Sequence, residues 1–336
     1  MRSQKGFARS KVFTFLFTAL GSLAAGQALA APTLFVGTDS GTGTINGYTL
    51  PITASSTPAF TLNPGNPTVA VGVDSAGNVM AGSLGGTLTY FPSPLTGSPS
   101  ASFADGASIS SGQIAFLPNG NVWVGSVALQ PINHFAPPFT NASVPASTLA
   151  PPGVSIGLTF DAALNLYAAD SGRIFVFPPP YTGAPAVTTA TVAGFAYRKM
   201  AVSGSQLFVP TSAPGTGAVE VYNLPLTAAS VPAFQIATGT NFPEAIAFDV
   251  SGNMYVGNLG SSSVTVYSPP FTAASAPNIT LNIPAFAIFS LAIGNTQFAP
   301  PAPPAGVPAL DPSKLLALCV LLLGVGLLAL RVRRKV

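Results

Sequence analysis

The residues of this chain that could carry chemistry are few. The one histidine, His134, has no second histidine with which to build a zinc site. No Ser/His/Asp order marks a nucleophilic triad, and every Gly-x-x-Gly belongs to a turn instead of a phosphate loop. The one cysteine, Cys319, lies inside an apolar run and reads as a small hydrophobe, not a nucleophile. Asp74, Asp161 and Asp249 each end an apolar stretch at a strand-to-turn position. A short carboxylate there is expected to cap its own turn through backbone N–H groups. Glu220 and Glu244 are the only glutamates between residues 31 and 306. The same span holds Arg173, Arg198 and Lys199 against eight acids, so it has five negative charges in excess and no basic footprint for nucleic acid.

The elements that position these residues are announced by a repeated phrase. It ends at Thr53, Thr96, Thr140, Thr182, Thr227 and Thr272 as "YTLPIT", "FPSPLT", "FAPPFT", "FPPPYT", "YNLPLT" and "YSPPFT". The prolines at its centre, Pro51, Pro94, Pro138, Pro180, Pro225 and Pro270, are spaced by 43, 44, 42, 45 and 45 residues. A phrase copied at near-constant interval is one supersecondary unit repeated, and this period suits the four short strands of a propeller blade. A second phrase precedes each copy, as in "IAFLPNGNVWVGS" from Ile114 and "IAFDVSGNMYVGN" from Ile246. It reads as strand, tight turn, strand. Gly77-Asn78, Gly120-Asn121 and Gly252-Asn253 are expected to supply positive φ. Proline cannot donate to a ladder, so it should end the third strand, with Phe271 or its counterpart packing on a neighbouring blade.

The predicted fold is therefore all-β, a six-bladed propeller over residues 31–300. The additional "GNTQF" leaves seven blades open. "TLFVG" from Thr33 resembles a second inner strand without its first, and the strand around 287–293 is its expected partner. That pairing is expected to close the ring and leave no edge exposed. The composition agrees: 48% hydrophobic residues with 34 glycines and 34 prolines fit many short strands joined by turns, and 6% charge leaves a neutral surface.

Both ends of the chain read as targeting. Basic residues through Lys11 precede the run "VFTFLFTALGSLAA" and a small-residue "ALA" at 28–30, which predicts a signal peptide over 1–30 removed by signal peptidase after Ala30. A Pro-rich linker and sorting motif over 301–314 leads to an apolar helix expected at 315–330 and a basic cytoplasmic tail at 331–336. With its one cysteine inside that helix, the exported body is expected to be stabilised by packing alone.

At "FDVSGNMYVGN", residues 248–258, the sequence resembles an NHL-type propeller repeat and, more distantly, blades of the gluconolactonase and strictosidine synthase superfamily. The resemblance implies a six-bladed propeller used for protein, nucleic-acid or glycan binding and, in some branches, metal-dependent hydrolysis of lactones. For that branch the matching positions are Thr38, Ser83, Ser126, Asp170, Thr211 and Asn258. Asp170 and Asn258 would be the ligands for a divalent cation such as calcium. The family's early glutamate has no match here. The tail resembles the IPTL-type relative of the PEP C-terminal sorting signals, with Val307, Pro308, Ala309 and Leu310 in the motif positions. That likeness implies a sorting protease of exosortase type in a Gram-negative bacterium; a permanent C-terminal membrane anchor is the other reading. The expected function is an exported surface or extracellular-matrix binding or structural module without enzymatic activity or cofactor. Its partner would be an unidentified surface protein or polysaccharide. The alternative is a metal-dependent lactonase or esterase.

Overall fold

The computed structural model describes residues 31–296, apart from 40, 107–109, 190–195, 214–215 and 284–286. Among the described residues six antiparallel sheets form, so the blade count is six. Blades 2, 3, 4, 5 and 6 take their strands in chain order from 68–104, 111–149, 157–188, 196–236 and 243–282. Blade 1 is built from both ends of the body: Ile288–Thr296 is its innermost strand, followed by Ala31–Thr38, Thr44–Thr49 and Phe60–Leu62. In blade 5 the inner strand comes in two pieces, Ala196–Tyr197 and Ala201–Ser203, both paired with Gln206–Ala213.

The sequence forms these strands because large apolar side chains face alternately into two different inter-blade cores. In Ala31–Thr38, Leu34 and Val36 join a cluster with Tyr255, Val264 and Val266 of blade 6. Phe35, between them, joins Val71, Val79 and Phe91 of blade 2. Second strands such as Val79–Ser83, Val122–Ser126 and Met254–Asn258 are buried at every residue, since both faces are covered. There are six such clusters, one for each pair of adjacent blades. Each large side chain fully withdrawn from water contributes about 1.5–3 kcal/mol, so the cohesion of the ring lies between blades.

Two expectations about this fold need correction. The C-terminal strand of the body pairs with Ala31–Thr38, from Ala31 with Thr296 to Thr38 with Ile288. This completes one open four-stranded blade, and among the described residues no sheet closes on itself by hydrogen bonds. Closure that leaves no edge is thus overturned: apart from a bridge of Lys199 with Ala245 between blades 5 and 6, the blades keep an inner edge at the channel and an outer edge at the rim. The ring is held by side-chain packing, including the cluster shared by blades 6 and 1. The second correction concerns helices. Among the described residues there is no α-helix, only a 3-10 turn at Leu259–Ser261, and no helix long and apolar enough to cross a membrane. The helix expected at 315–330 has no counterpart among them. Its residues, the signal peptide 1–30, the motif Val307–Leu310 and the tail 331–336 all lie outside the described residues.

The repeated phrase occupies one place in all six blades. Each of its prolines lies beyond the end of a third strand, and all six are preceded by a cis peptide bond. In the three copies where an aromatic follows the proline, it packs on the preceding blade. Phe139 meets Tyr90 and Phe103 of blade 2, Tyr181 meets Trp123 of blade 3, and Phe271 meets Phe208 of blade 5. The hairpins between first and second strands differ in detail from expectation. Gly77, Gly120 and Gly252 have φ of 82°, 83° and 79°, but the asparagines after them do not turn left-handed. Asp74 N–H donates to the Asn78 carbonyl and Gly77 N–H to the Asp74 carbonyl. That pattern is a three-residue loop with a bulged glycine instead of a two-residue turn.

Candidate functional site

Antiparallel order puts the first-to-second hairpins and the proline loops on one face, here the lower, and the second-to-third hairpins on the other. The sequence-matched positions Thr38, Ser83, Ser126, Asp170, Thr211 and Asn258 accordingly ring the upper end, all buried. Each ties its own hairpin. Ser83 Oγ accepts from the amides of Gly85 and Thr87, Ser126 Oγ accepts from Ala128 N–H, and Thr211 Oγ1 donates to the Ala218 carbonyl.

Asp170 and Asn258, the two provisional metal ligands, sit in blades 4 and 6 with blade 5 between them. Asp170 accepts from the backbone N–H of Arg173 through Oδ1 and from its guanidinium through Oδ2. The backbone of Gly153 lies directly against that carboxylate. Asn258 Oδ1 accepts from Asn241 N–H at 2.9 Å, and its Nδ2 donates to Thr265 Oγ1 at 3.0 Å. Among the described residues no group of three or more His, Cys, Asp or Glu gathers to hold a metal ion. A calcium ion takes six to eight oxygens, and this donor set does not fit one.

Two buried polar arrangements were not foreseen. At the upper end of the inner strands of blades 5 and 6, Lys199 Nζ meets Glu244 Oε1 at 3.1 Å and Arg198 Nε meets Glu244 Oε2 at 3.2 Å. In the phrase as aligned on the sequence Lys199 stands where the other copies carry Val71, Ile114, Leu158 and Ile246, the one sequence signal that could have found it. Between blades 4 and 5, the Tyr197 hydroxyl must donate to Tyr222, because the Tyr222 hydroxyl donates its only proton to Glu220 Oε2 at 2.7 Å. Burial pushes both tyrosines up, and for Tyr222 the hydrogen bonds with Tyr197 and Glu220 push further the same way. The two tyrosines therefore stay protonated at neutral pH, in a fixed array that ends on the Glu220 acceptor.

On the inner strands a cavity of about 280 Å³ is lined by Val71, Ile114, Leu158, Met200, Ile246 and Leu291, among others. Gln113 crosses between blades there: Nε2 donates to the Met200 carbonyl and Oε1 accepts from Leu158 N–H, both at 2.8 Å. Ser290 Oγ accepts from Val71 N–H at 2.9 Å. Side chains thus satisfy inner-edge backbone groups that no neighbouring strand reaches.

His134 is taken up by packing. Its ring stacks on Trp123 at 4.8 Å between centroids, Nδ1 pairs with Ser147 Oγ at 3.0 Å, and Nε2 is buried without a partner. Burial lowers its pKa from the usual 6.5. The neutral ring is favoured in the fold, so the contribution to stability is complete above pH 6.5. It is lost as pH falls from there through the lower folded value. The chain has one tryptophan and one histidine, which makes the titration readable. An imidazolium stacked on indole quenches its emission, so acid titration should quench Trp123 with a midpoint below 6.5, and His134→Gln should abolish the step. A midpoint at or above 6.5 would contradict the assignment.

No protein-family model matches the sequence, and no curated protein matches it. Among solved structures, the chain is similar to one in a nidogen/laminin complex, with a TM-score of 0.60 at 14% identity, covering 80% of this chain and 100% of that one. A functionally unknown protein from Desulfotomaculum acetoxidans gives 0.54 at 13% identity, over 81% and 90% of the two chains. A chain of a mitotic checkpoint complex gives 0.51 at 15% identity, over 67% and 70%. The likeness is one of fold alone. The six-bladed propeller stands on it and on the sheets described above; neither the NHL nor the gluconolactonase kinship does.

Proposed function

We propose that the propeller is a non-enzymatic binding or structural module displayed at the cell surface or in an extracellular matrix. The observation that carries this reading is the disposition of the acids. Of the eight in the body, all but Asp39 are engaged within the fold. Asp74, Asp161 and Asp249 each accept two backbone N–H bonds from their own hairpins, Asp105 accepts from Ser111, Asp170 pairs with Arg173, Glu220 accepts from Tyr222 and Glu244 pairs with Lys199. Groups held this way position the blades and are not free to abstract protons or bind a substrate's metal. The display half of the proposal rests on the two ends of the sequence. Signal peptidase would cut after Ala30, and a sorting protease of exosortase type would act near Val307, Pro308, Ala309 and Leu310.

One fractionation tests both halves. Protein recovered from envelope and medium should lack residues 1–30 by intact mass and should bind envelope protein or polysaccharide without hydrolysing lactones or esters. Recovery only from cytoplasm with Met1 retained would overturn the display half. Lactone turnover abolished by a chelator would overturn the non-enzymatic half.

A further inference from the structure

Blade 1 lacks the lower hairpin that the other blades have, because its first two strands come from opposite ends of the body. The hairpins of blades 6 and 2 therefore face each other across a gap. A cavity of about 400 Å³ fills it, lined by Phe248, Asp249 and Val250 on one side and Val73, Asp74 and Ser75 on the other, with Pro32, Ile293 and Gly294 also lining it. That volume is at the small end of the range of about 300–1,000 Å³ usual for ligand pockets. From the surface-binding role proposed above, and resting on it, we infer that this cleft binds a hexose unit of an uncharged polysaccharide.

The argument is one of chemical match. A neutral sugar ring has an apolar C–H face and a rim of hydroxyls, so it needs an apolar wall and uncharged hydrogen-bonding groups. Pro32 and Val73, half-buried, and Val250, 93% exposed, give the wall; Ser75 and the backbone about Gly294 give the polar groups. The two carboxylates spend their oxygens on their own hairpins. Asp74 already accepts from the amides of Ala76 and Asn78 and the Asn78 side chain. Asp249 accepts from Ser251, from the Asn253 amide and side chain, and from the Tyr255 hydroxyl. All three cations of the body, Arg173, Arg198 and Lys199, belong to the upper end. An anionic polymer has nothing to pair with on the lower face. The facing walls are also copies of one motif, Val-Asp-Ser and Phe-Asp-Val, which suits a polymer of one repeated unit.

The test uses the full-length exported chain in affinity electrophoresis against amylose, dextran and a β-1,3-glucan as neutral probes, hyaluronate as anion and chitosan as cation. Retardation by at least one neutral glucan is expected, changing less than twofold between 0.05 and 1 M NaCl. Val250→Glu should weaken it at least tenfold. Val231→Glu, at a 72% exposed site on an outer loop of blade 5, should leave it unchanged. Both positions are solvent-facing, so neither variant threatens folding. Retardation only by a charged polymer, or equal loss in the two variants, overturns the cleft assignment. Failure with every glycan while an envelope protein is still captured overturns the sugar inference and leaves the binding-module reading standing.

Discussion

Glu244→Ala is expected to remove about 3–5 kcal/mol of stability, because it leaves a buried ammonium without its counter-ion. The side chains of Lys199 and Glu244 are 4% and 5% exposed, and they meet at 3.1 Å. The backbone holds them there: Lys199 N–H donates to the Glu244 carbonyl and Ile246 N–H to the Lys199 carbonyl, joining the inner strands of blades 5 and 6. Without the carboxylate, Lys199 can reach water only by breaking that bridge. Arg198 retains Ser212 Oγ at 2.9 Å and does not compensate. Glu244→Gln should fall between, keeping an acceptor but no charge. Replacing both partners by apolar residues, Lys199→Met with Glu244→Leu, should recover most of the loss, since desolvation of two ions is then avoided. Urea unfolding checks this through the midpoint, with an unchanged slope excluding an altered unfolded state. A loss under about 1 kcal/mol for Glu244→Ala would mean that water already reaches the pair.

What could be read in the sequence was what repeats or acts locally. The six prolines mark the same loop in every blade because the signal is a covalent pattern with a fixed period. The aspartate caps were legible for a related reason: Asp74 and Asp249 bond amides two and four residues on. The interactions that assemble the ring were not legible. Lys199 and Glu244 are 45 residues apart, and Gln113 and Met200 are 87 apart. Nothing in either neighbourhood names its partner. The edge argument failed because it counted only the missing neighbour of Ala31–Thr38 and not the free side of the strand that supplies it. The innermost strand, Ile288–Thr296, still has its other side toward the channel. The separation of the two provisional metal ligands turns on a similar distinction. Equivalent positions in a repeat are related by rotation about the axis, and rotation places Asp170 and Asn258 in separate hairpins, each with its own partners.

The same rotation explains a requirement for small residues that the repeat displayed without stating its cause. Second strands carry Gly37, Gly82, Gly125 and Gly257 just before their buried polar ends. None has positive φ, so the need is for space. At Gly125 a Cβ would land on the carbonyl oxygen of Ser155. That carbonyl belongs to backbone fixed by the bond from Ser155 N–H to the Ser126 carbonyl at 3.0 Å, and it cannot swing aside. At Gly257 the obstacles are side chains, Ile288 Cγ2 at 2.9 Å and Leu291 Cγ at 3.2 Å, which can rotate. Gly125→Ala should therefore cost about 2–3 kcal/mol by forcing blades 3 and 4 apart, and Gly257→Ala about 1 kcal/mol. Where space is free, the same substitution stabilises by narrowing the unfolded ensemble, so even the sign is informative. Trp123 packs on Tyr181 across the blade 3–blade 4 boundary at 5.3 Å, and its emission should shift in Gly125→Ala but not in Gly257→Ala. Equal costs with no change at Trp123 would mean that the spacing of the blades is set by the apolar clusters and not by the approach of backbone to glycine.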